Sequence, residues 1–383
     1  MKTLSFIKLH LLFALCALLF TVGCEKGELI EPVAEQNGLV DPNSVSVKAA
    51  QDELANPLLS SQSMQAWVWA NNHTTSATYT PQSSYQFNSA SSNKVSITRT
   101  AIGSYRVKIP GAAAYYRGAG HATAYGGNHS AQVQNWYPSG SDLFVTVRTF
   151  SPNGQPINGR FNLMFYAGGV SGDVNYNSAY QWVNSSNSLS SIYAFNSQGQ
   201  QNQVQKTSTG VYKITFPGIQ PNPSGAGSRG HIIATPYGST ARRVTVHGWG
   251  HSSNGVTATI YVRDMNGNLT DGQFNLSYLD NFVIGPYHNY GAYLWANSSS
   301  SSSYSPFYTY AKINLNVNIQ IQKISTGYYR VNLPDLKSFN STTAIATAYK
   351  GSAYTSIQSW SSNGSGGTYV YVRCYNPSGS PAD

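Results

Sequence analysis

The sequence predicts an all-β protein: three tandem antiparallel β-sandwich repeats of about 110 residues, behind an export signal and a disordered tether. Three observations carry that prediction. One phrase is written three times, as AWVWANNHT from Ala66, AYQWVNSSN from Ala179 and AYLWANSSS from Ala292, so that Trp69, Trp182 and Trp295 stand 113 residues apart. Further phrases follow in the same order in each copy: GSYRV, GVYKI and GYYRV from Gly103, Gly210 and Gly327, then ATAYG, ATPYG and ATAYK from Ala122, Ala234 and Ala346, then Trp136, Trp249 and Trp360. Finally, the hydrophobic period is two. Tyr105, Val107 and Ile109 alternate with Arg106 and Lys108, and Tyr212, Ile214 and Phe216 with Lys213 and Thr215, the pattern of half-buried strands.

From the N-terminus, Lys2 and Lys8 precede an apolar run from Leu11 to Phe20 that is too short to span a membrane and reads as a cleaved export signal. The signal ends on Gly23-Cys24, which resembles the lipobox of bacterial lipoproteins, with Thr21 where that family usually has Leu. The resemblance implies lipidation of Cys24 and attachment of the mature chain to a membrane. Residues 25–63 carry seven of the fourteen acidic residues, several prolines and few aromatics, the composition of a flexible tether. Acids directly behind a lipidated cysteine also resemble the surface-export signals of some diderm bacteria. That likeness implies an outer-membrane anchor with the body facing outside.

The repeats are then placed at 64–176, 177–289 and 290–383, each with seven or eight short strands punctuated by Gly, Pro, Asn and Ser. NGRFNL from Asn158 and DGQFNL from Asp271 close the first two, whereas Asp383, which matches Asn158, is the last residue given. The third repeat therefore lacks its last strand. The expectation is a piece of a longer protein, the alternative an open sheet edge for another chain to fill. With only Cys374 in the body, no disulfide is expected, and the thiol is read as an inward packing residue. The order of these motifs resembles repeats of uncharacterised secreted bacterial proteins, a likeness that brings no activity with it.

No catalytic, cofactor or metal residues are assigned. The repeats contain no glutamate, and the aspartates sit in turn-like surroundings, against the paired carboxylates that glycoside hydrolysis needs. His247 and His251 of HGWGH lack a third ligand nearby, and His121 with Asp142 and the many serines makes a triad only on paper. The tryptophans, two residues after Trp67, Tyr180 and Tyr293, are read as copied pieces of core and not as a sugar platform.

Charge supplies the candidate ligand. Residues 64–383 hold 19 Lys and Arg against 7 acids, a net charge of about +12. Period two sends Arg106, Lys213 and Arg330 outward, together with Arg148, Arg263 and Arg373 of VTVR, IYVR and VYVR, the last two beside Tyr261 and beside Tyr369 and Tyr371. Basic groups next to aromatic faces suit anionic polymers, and three weak copies add by avidity. The expected role is adhesion or binding of a glycan or other polyanion, without specificity for nucleic acid. A structural spacer or fibre component of the cell envelope, and a secreted hydrolase, are the alternatives.

Overall fold

The computed structural model describes residues 63–168, 177–185, 189–220, 230–280, 291–306, 309–311, 318–336 and 342–383. The signal, Cys24 and the tether lie outside the described residues. The fold class is all-β, as the period of two requires, and among the described residues no helix is long and apolar enough to cross a membrane.

The first repeat supplies β1 Met64–Ala70, β2 Gln86–Asn88, β3 Ser96–Ala101, β4 Ser104–Ile109, β5 Ala119–Tyr125, β6 Ser130–Ser139, β7 Asp142–Phe150 and β8 Arg160–Ala167. The second supplies β9 Asn177–Val183, β10 Leu189–Asn196, β11 Gln203–Ser208, β12 Val211–Pro217, β13 His231–Tyr237, β14 Arg243–Ser252, β15 Gly255–Arg263 and β16 Gln273–Asp280. In the third are β17 Ala292–Leu294, β18 Ser303–Tyr304, β19 Thr309–Ala311, β20 Gln320–Ser325, β21 Tyr328–Leu333, β22 Ala348–Tyr349, β23 Tyr354–Ser362 and β24 Thr368–Tyr375.

Each of the first two repeats forms an inner sheet, β2-β1-β8-β5 or β10-β9-β16-β13, and an outer one, β3-β4-β7-β6 or β11-β12-β15-β14. Outer strands alternate cleanly: Tyr105, Val107 and Ile109 are buried while Arg106 is exposed, and β12 follows suit with Tyr212, Ile214 and Phe216 inside and Lys213 outside. Inner strands do not alternate. Apart from one terminal residue each, β8 and β16 are buried throughout, which means that both faces of the inner sheets are covered.

The cover is the other repeats, because the edge strands join head to tail into a closed ring. β6 of the first repeat runs parallel to β13 of the second at Val133 and Tyr237, and β14 of the second runs parallel to β22 of the third at Val246 and Tyr349. The ring then shuts, for β23 of the third runs parallel to β5 of the first at Ile357 and Tyr125. One bond recurs at each joint: the amides of Gly238, Lys350 and Gly126 donate to the carbonyls of Val133, Val246 and Ile357 at 3.0, 2.8 and 2.8 Å. A repeated head-to-tail contact generates either a ring or a filament, and here the rotation closes after three copies. At each joint two edge strands of neighbouring repeats pair with each other.

Around the pseudo-threefold axis the repeats meet in a second, shared core. Trp67, Ala119, Met164 and Tyr166 of the first repeat pack with Tyr180, Phe195, Ile233 and Leu279 of the second, and Ile345 of the third packs against them. Polar groups there are paired between repeats. Thr123 Oγ1 donates to the Ala346 carbonyl at 3.1 Å, Thr347 Oγ1 to the Ala234 carbonyl at 3.0 Å, and Thr235 Oγ1 meets His121 Nδ1 at 3.2 Å. The hairpin glycines Gly154, Gly267 and Gly379 have φ of +84°, +90° and +88°, and a Cβ on each would stand 2.7–2.9 Å from Met265, Pro377 and Pro152 of the next repeat in the ring. Glycine is required there twice over, by backbone conformation and by the close approach.

The copied tryptophans need a correction. Trp67 is buried, but in the shared core, and Trp69, Trp182 and Trp295 are only partly buried. They fill the joints between repeats and not the sandwich interiors. Trp69 packs with Tyr125 at 4.8 Å and with Trp360 of the third repeat at 5.8 Å, and Trp182 packs with Tyr237, which also meets Trp136 of the first repeat. Trp295 packs with Tyr349 at 5.1 Å and with Trp249 of the second repeat at 5.6 Å. These tilted and edge-on contacts are the favoured geometry of aromatic pairs. Period two was right about which residues share a side and silent about what that side faces.

Among the described residues the third repeat departs from the others at its inner sheet. In the first two, β8 and β16 stand between β5 and β1 and between β13 and β9, whereas among the described residues no strand stands between β22 and β17. The cost is seen in the core. Val370 and Val372 are half-buried where Val145, Val147, Ala258 and Ile260 are fully buried, and Cys374, half-buried, packs at the margin of the small cluster around Ile321 and Tyr329.

Candidate ligand-binding faces

The outer sheets turn one face to water, and the predicted basic residues all lie on that face. Arg106 and Lys213 are exposed, opposite Thr146 and Thr259 on the neighbouring strand. Arg330 is half-exposed opposite Tyr371 and sits over the ring of Tyr369 at 4.5 Å. Arg373 lies over Tyr328 at 4.1 Å, and Tyr371 bridges Tyr328 and Tyr369 at 6.0 and 6.3 Å. On the third outer sheet these residues form one continuous ladder, from Arg373 through Tyr328, Tyr371 and Tyr369 to Arg330. Stacking engages the flat face of a guanidinium and leaves its edge for hydrogen bonds, of which Arg330 Nη2 already makes one, to Gln322 Oε1.

Register corrects one equivalence. The three VxVR-like phrases look alike, yet Tyr105, Tyr212 and Tyr329 pair with Val147, Ile260 and Val372. Arg148 therefore matches Arg373 and Tyr261, while Arg263 takes the place of Phe150 and Tyr375. A shift of two residues keeps a side chain on the same face, so alternation could not detect it. Arg263 still lies over Tyr261 at 5.4 Å, and its Nη1 donates to the Gly267 carbonyl at 2.8 Å. Arg148 lies over Phe150 at 5.3 Å, and partial burial draws its guanidinium below its ordinary value. The faces thus differ in chemistry: an aromatic ladder on the third sheet, and on the second a polar groove in which Lys213 is flanked by Gln203, Gln205, Thr215 and Thr257.

The side chains considered for catalysis have structural work. Asp142 accepts from the Gly111 amide at 3.0 Å and pairs with Lys108 at 2.7 Å, and these contacts hold its carboxyl below the usual range. Asp264 accepts from the Asn266 and Asn268 amides within its hairpin. Asn158, Asp271 and Asp383 do the same service in turn, accepting from the Gly103, Gly210 and Gly327 amides at 3.0, 2.9 and 2.8 Å. His121 is fully buried, and its Nε2 meets Ser277 Oγ at 2.6 Å, while Asp142 is engaged with Gly111 and Lys108. In a Ser-His-Asp triad the histidine is the general base, and this imidazole is instead engaged inside the shared core. His247 stacks on Tyr261 at 4.2 Å and His251 Nε2 meets the Tyr278 hydroxyl at 3.0 Å, so HGWGH does not aim its rings at one point.

One residue central to the assembly was not singled out from the sequence. Arg243 is buried, at 2% exposure, and its guanidinium donates to the carbonyls of Met265, Pro152 and Pro377 at 2.9, 2.9 and 3.2 Å. Those three residues occupy the same hairpin position in the three repeats. A planar cation with donors on several sides thus sits where the hairpins converge, resting on the Tyr354 ring at 4.2 Å. The spacing of 112–113 residues between these hairpins was visible, but nothing in Arg243 itself announced its place.

Comparison of the chain with protein-family models, with curated proteins and with solved structures yields no match.

Proposed function

We propose that this chain is an exported, lipid-anchored binding protein of the bacterial cell envelope, whose outer sheets hold glycans or other anionic polymers for adhesion. The observation that carries the reading is the Arg373–Tyr328–Tyr371–Tyr369–Arg330 ladder on a solvent-facing sheet of a body with a net charge of about +12. Tyrosine rings supply flat apolar area for sugar faces, and the stacked guanidinium groups supply fork-shaped donors for sulfate or carboxylate. A closed ring presents its outer sheets in fixed directions, so a long polymer can meet more than one of them without a further entropic cost of ordering.

The purified chain, tested on arrays of sulfated, carboxylated and neutral glycans, is expected to retain the anionic ones and to lose affinity about tenfold or more between ~50 and ~300 mM salt. The double variant Arg330→Ala/Arg373→Ala is expected to weaken retention about tenfold, while Arg99→Ala, on another strand, leaves it unchanged. Retention indifferent to salt, or to the double variant, refutes the reading. For the anchor, metabolic labelling with a lipid precursor is expected to mark the wild-type chain and to leave Cys24→Ala unlabelled. A labelled Cys24→Ala chain would show attachment elsewhere.

A further inference from the structure

We infer that the groove on the outer sheet of the second repeat is a separate site for a short carboxylated saccharide, a uronate chain of a few sugar units. Its hydroxyls would lie along the amides of β11 and its carboxylate at Lys213. The inference rests on the reading of the outer sheets as glycan-binding faces, but not on the aromatic ladder of the third repeat.

Register shows why a groove forms on this sheet. One row of side chains crosses the water side of the first outer sheet through Ser96, Lys108, Phe144 and Tyr137. The same row in the third repeat runs through Gln320, Asn332, Tyr369 and Ser361, and in the second through Gln203, Thr215, Thr257 and Gly250. The first row carries rings, Phe144 stacked on Tyr137 at 5.6 Å, and the third carries Tyr369, covered by Arg330 at 4.5 Å. The second has a threonine beside a glycine. In the adjoining row Lys213 stands between Gln205 and Thr259, which is followed by Gly248. A Cβ on Gly248 or Gly250 would meet no atom within 4 Å, so the surface of the sheet is open there. The result is a groove of about 690 Å³, lined also by Gln200 before β11 and by Asn254 in the β14–β15 turn. That volume falls within the range of small-molecule sites, about 300–1,000 Å³.

The lining selects the ligand. The groove has one cation and, among the described residues, neither an acid nor an aromatic ring. Lys108, Lys206 and Lys323 are paired with Asp142, Asp271 and Asp383, whereas Lys213 makes no ion pair among the described residues. A lone ammonium is a compact point charge, suited to a single carboxylate, while the planar fork of arginine suits two-pronged contacts. Gln203 and Gln205 are exposed two residues apart on β11, so their amides point the same way, each with two donors and an acceptor for neighbouring hydroxyls. Thr215 and Thr257 bond each other at 3.2 Å and keep acceptor capacity toward the groove. A peptide would call for apolar side-chain pockets. Of the two larger apolar residues in the lining, Val204 packs against the second core, which leaves Pro217.

Calorimetric titration of the full chain with trimers of galacturonic and of mannuronic acid, at about 50 mM salt, is expected to show one site for at least one of them, with a Kd of about 0.1–1 mM. The fully methyl-esterified trimer should bind about tenfold more weakly. Lys213→Gln should cost about tenfold, and Lys213→Arg should recover most of it. Gly250→Tyr/Thr257→Phe copies the stack of Phe144 and Tyr137 that the fold already holds. It should abolish binding while the urea midpoint stays as in the wild type. Hydrogen exchange should slow on binding at β11 and in the β14–β15 turn. Equal binding of the ester, or slowing at β21 and β24 with none at β11, overturns the groove and leaves the ladder as the glycan site. Trimer bound at the groove by a chain that retains no anionic polymer would uphold the groove and refute the ladder. No binding of either trimer up to about 10 mM overturns the proposal.

Discussion

Arg243→Ala is expected to destabilise the folded chain by about 4 kcal/mol, the sum of lost charge-assisted hydrogen bonds and a desolvated cation–π contact. The substitution removes the donors to Met265, Pro152 and Pro377 and leaves three half-buried hairpin carbonyls without the partner that brings them together. Burial opposes the charge, drawing the guanidinium below its ordinary value, and the carbonyls and the Tyr354 ring offset that cost. Arg243→Lys should recover less than half of the loss, since an ammonium cannot stack its face on Tyr354 while its edge reaches three acceptors. Urea unfolding at neutral pH checks both variants. A cost under about 1 kcal/mol for Arg243→Ala would mean that the three hairpins hold together without it.

Acid is expected to open the same assembly. His121 lies fully buried between Thr235 and Ser277, and burial pulls its imidazole down to about 3 from 6.5, with the nearby His231 acting in the same direction. The unfolded chain takes up a proton near pH 6.5 that the native one refuses until near pH 3, so this stabilisation is complete above pH 6.5 and declines as pH falls from 6.5 toward 3. At pH 4.5 the loss from His121 alone is about 3 kcal/mol, at 1.36 kcal/mol for each pH unit. Half-buried His231, stacked on Tyr293 at 4.2 Å and likewise pulled to about 3, adds to it. Stability measured between pH 8 and pH 4 should therefore fall more steeply for the wild type than for His121→Gln, which keeps a donor and an acceptor and cannot titrate. Parallel curves for the two proteins would remove His121 as the cause.

Much of the frame was legible because outer strands have one dry and one wet face. Arg106 and Lys213 could be placed outside, and Tyr105 and Tyr212 inside, from alternation alone. The tryptophans could not be placed so surely. Trp67 and Trp69 share a side, but in β1 the side opposite Ala66 and Val68 is also buried, and alternation cannot distinguish a sandwich interior from a seam between neighbours. Arg263 escaped for a related reason, since a two-residue slip leaves it facing the same way as Arg148. The basic ladder was half legible: Arg330, Tyr369, Tyr371 and Arg373 were named, but Tyr328, which seats Arg373, joined them only through cross-strand pairing.

By itself the amino-acid sequence determined the class of fold, the threefold copying and the choice of residues that look toward water, because each is written in spacing along the chain. Only the tertiary structure decided that the copies shut into a ring, that their tryptophans serve as seams, and that Arg243 gathers three hairpins. Those outcomes depend on residues more than a hundred positions apart meeting at edges and around an axis. A period of two carries no information about which edge meets which.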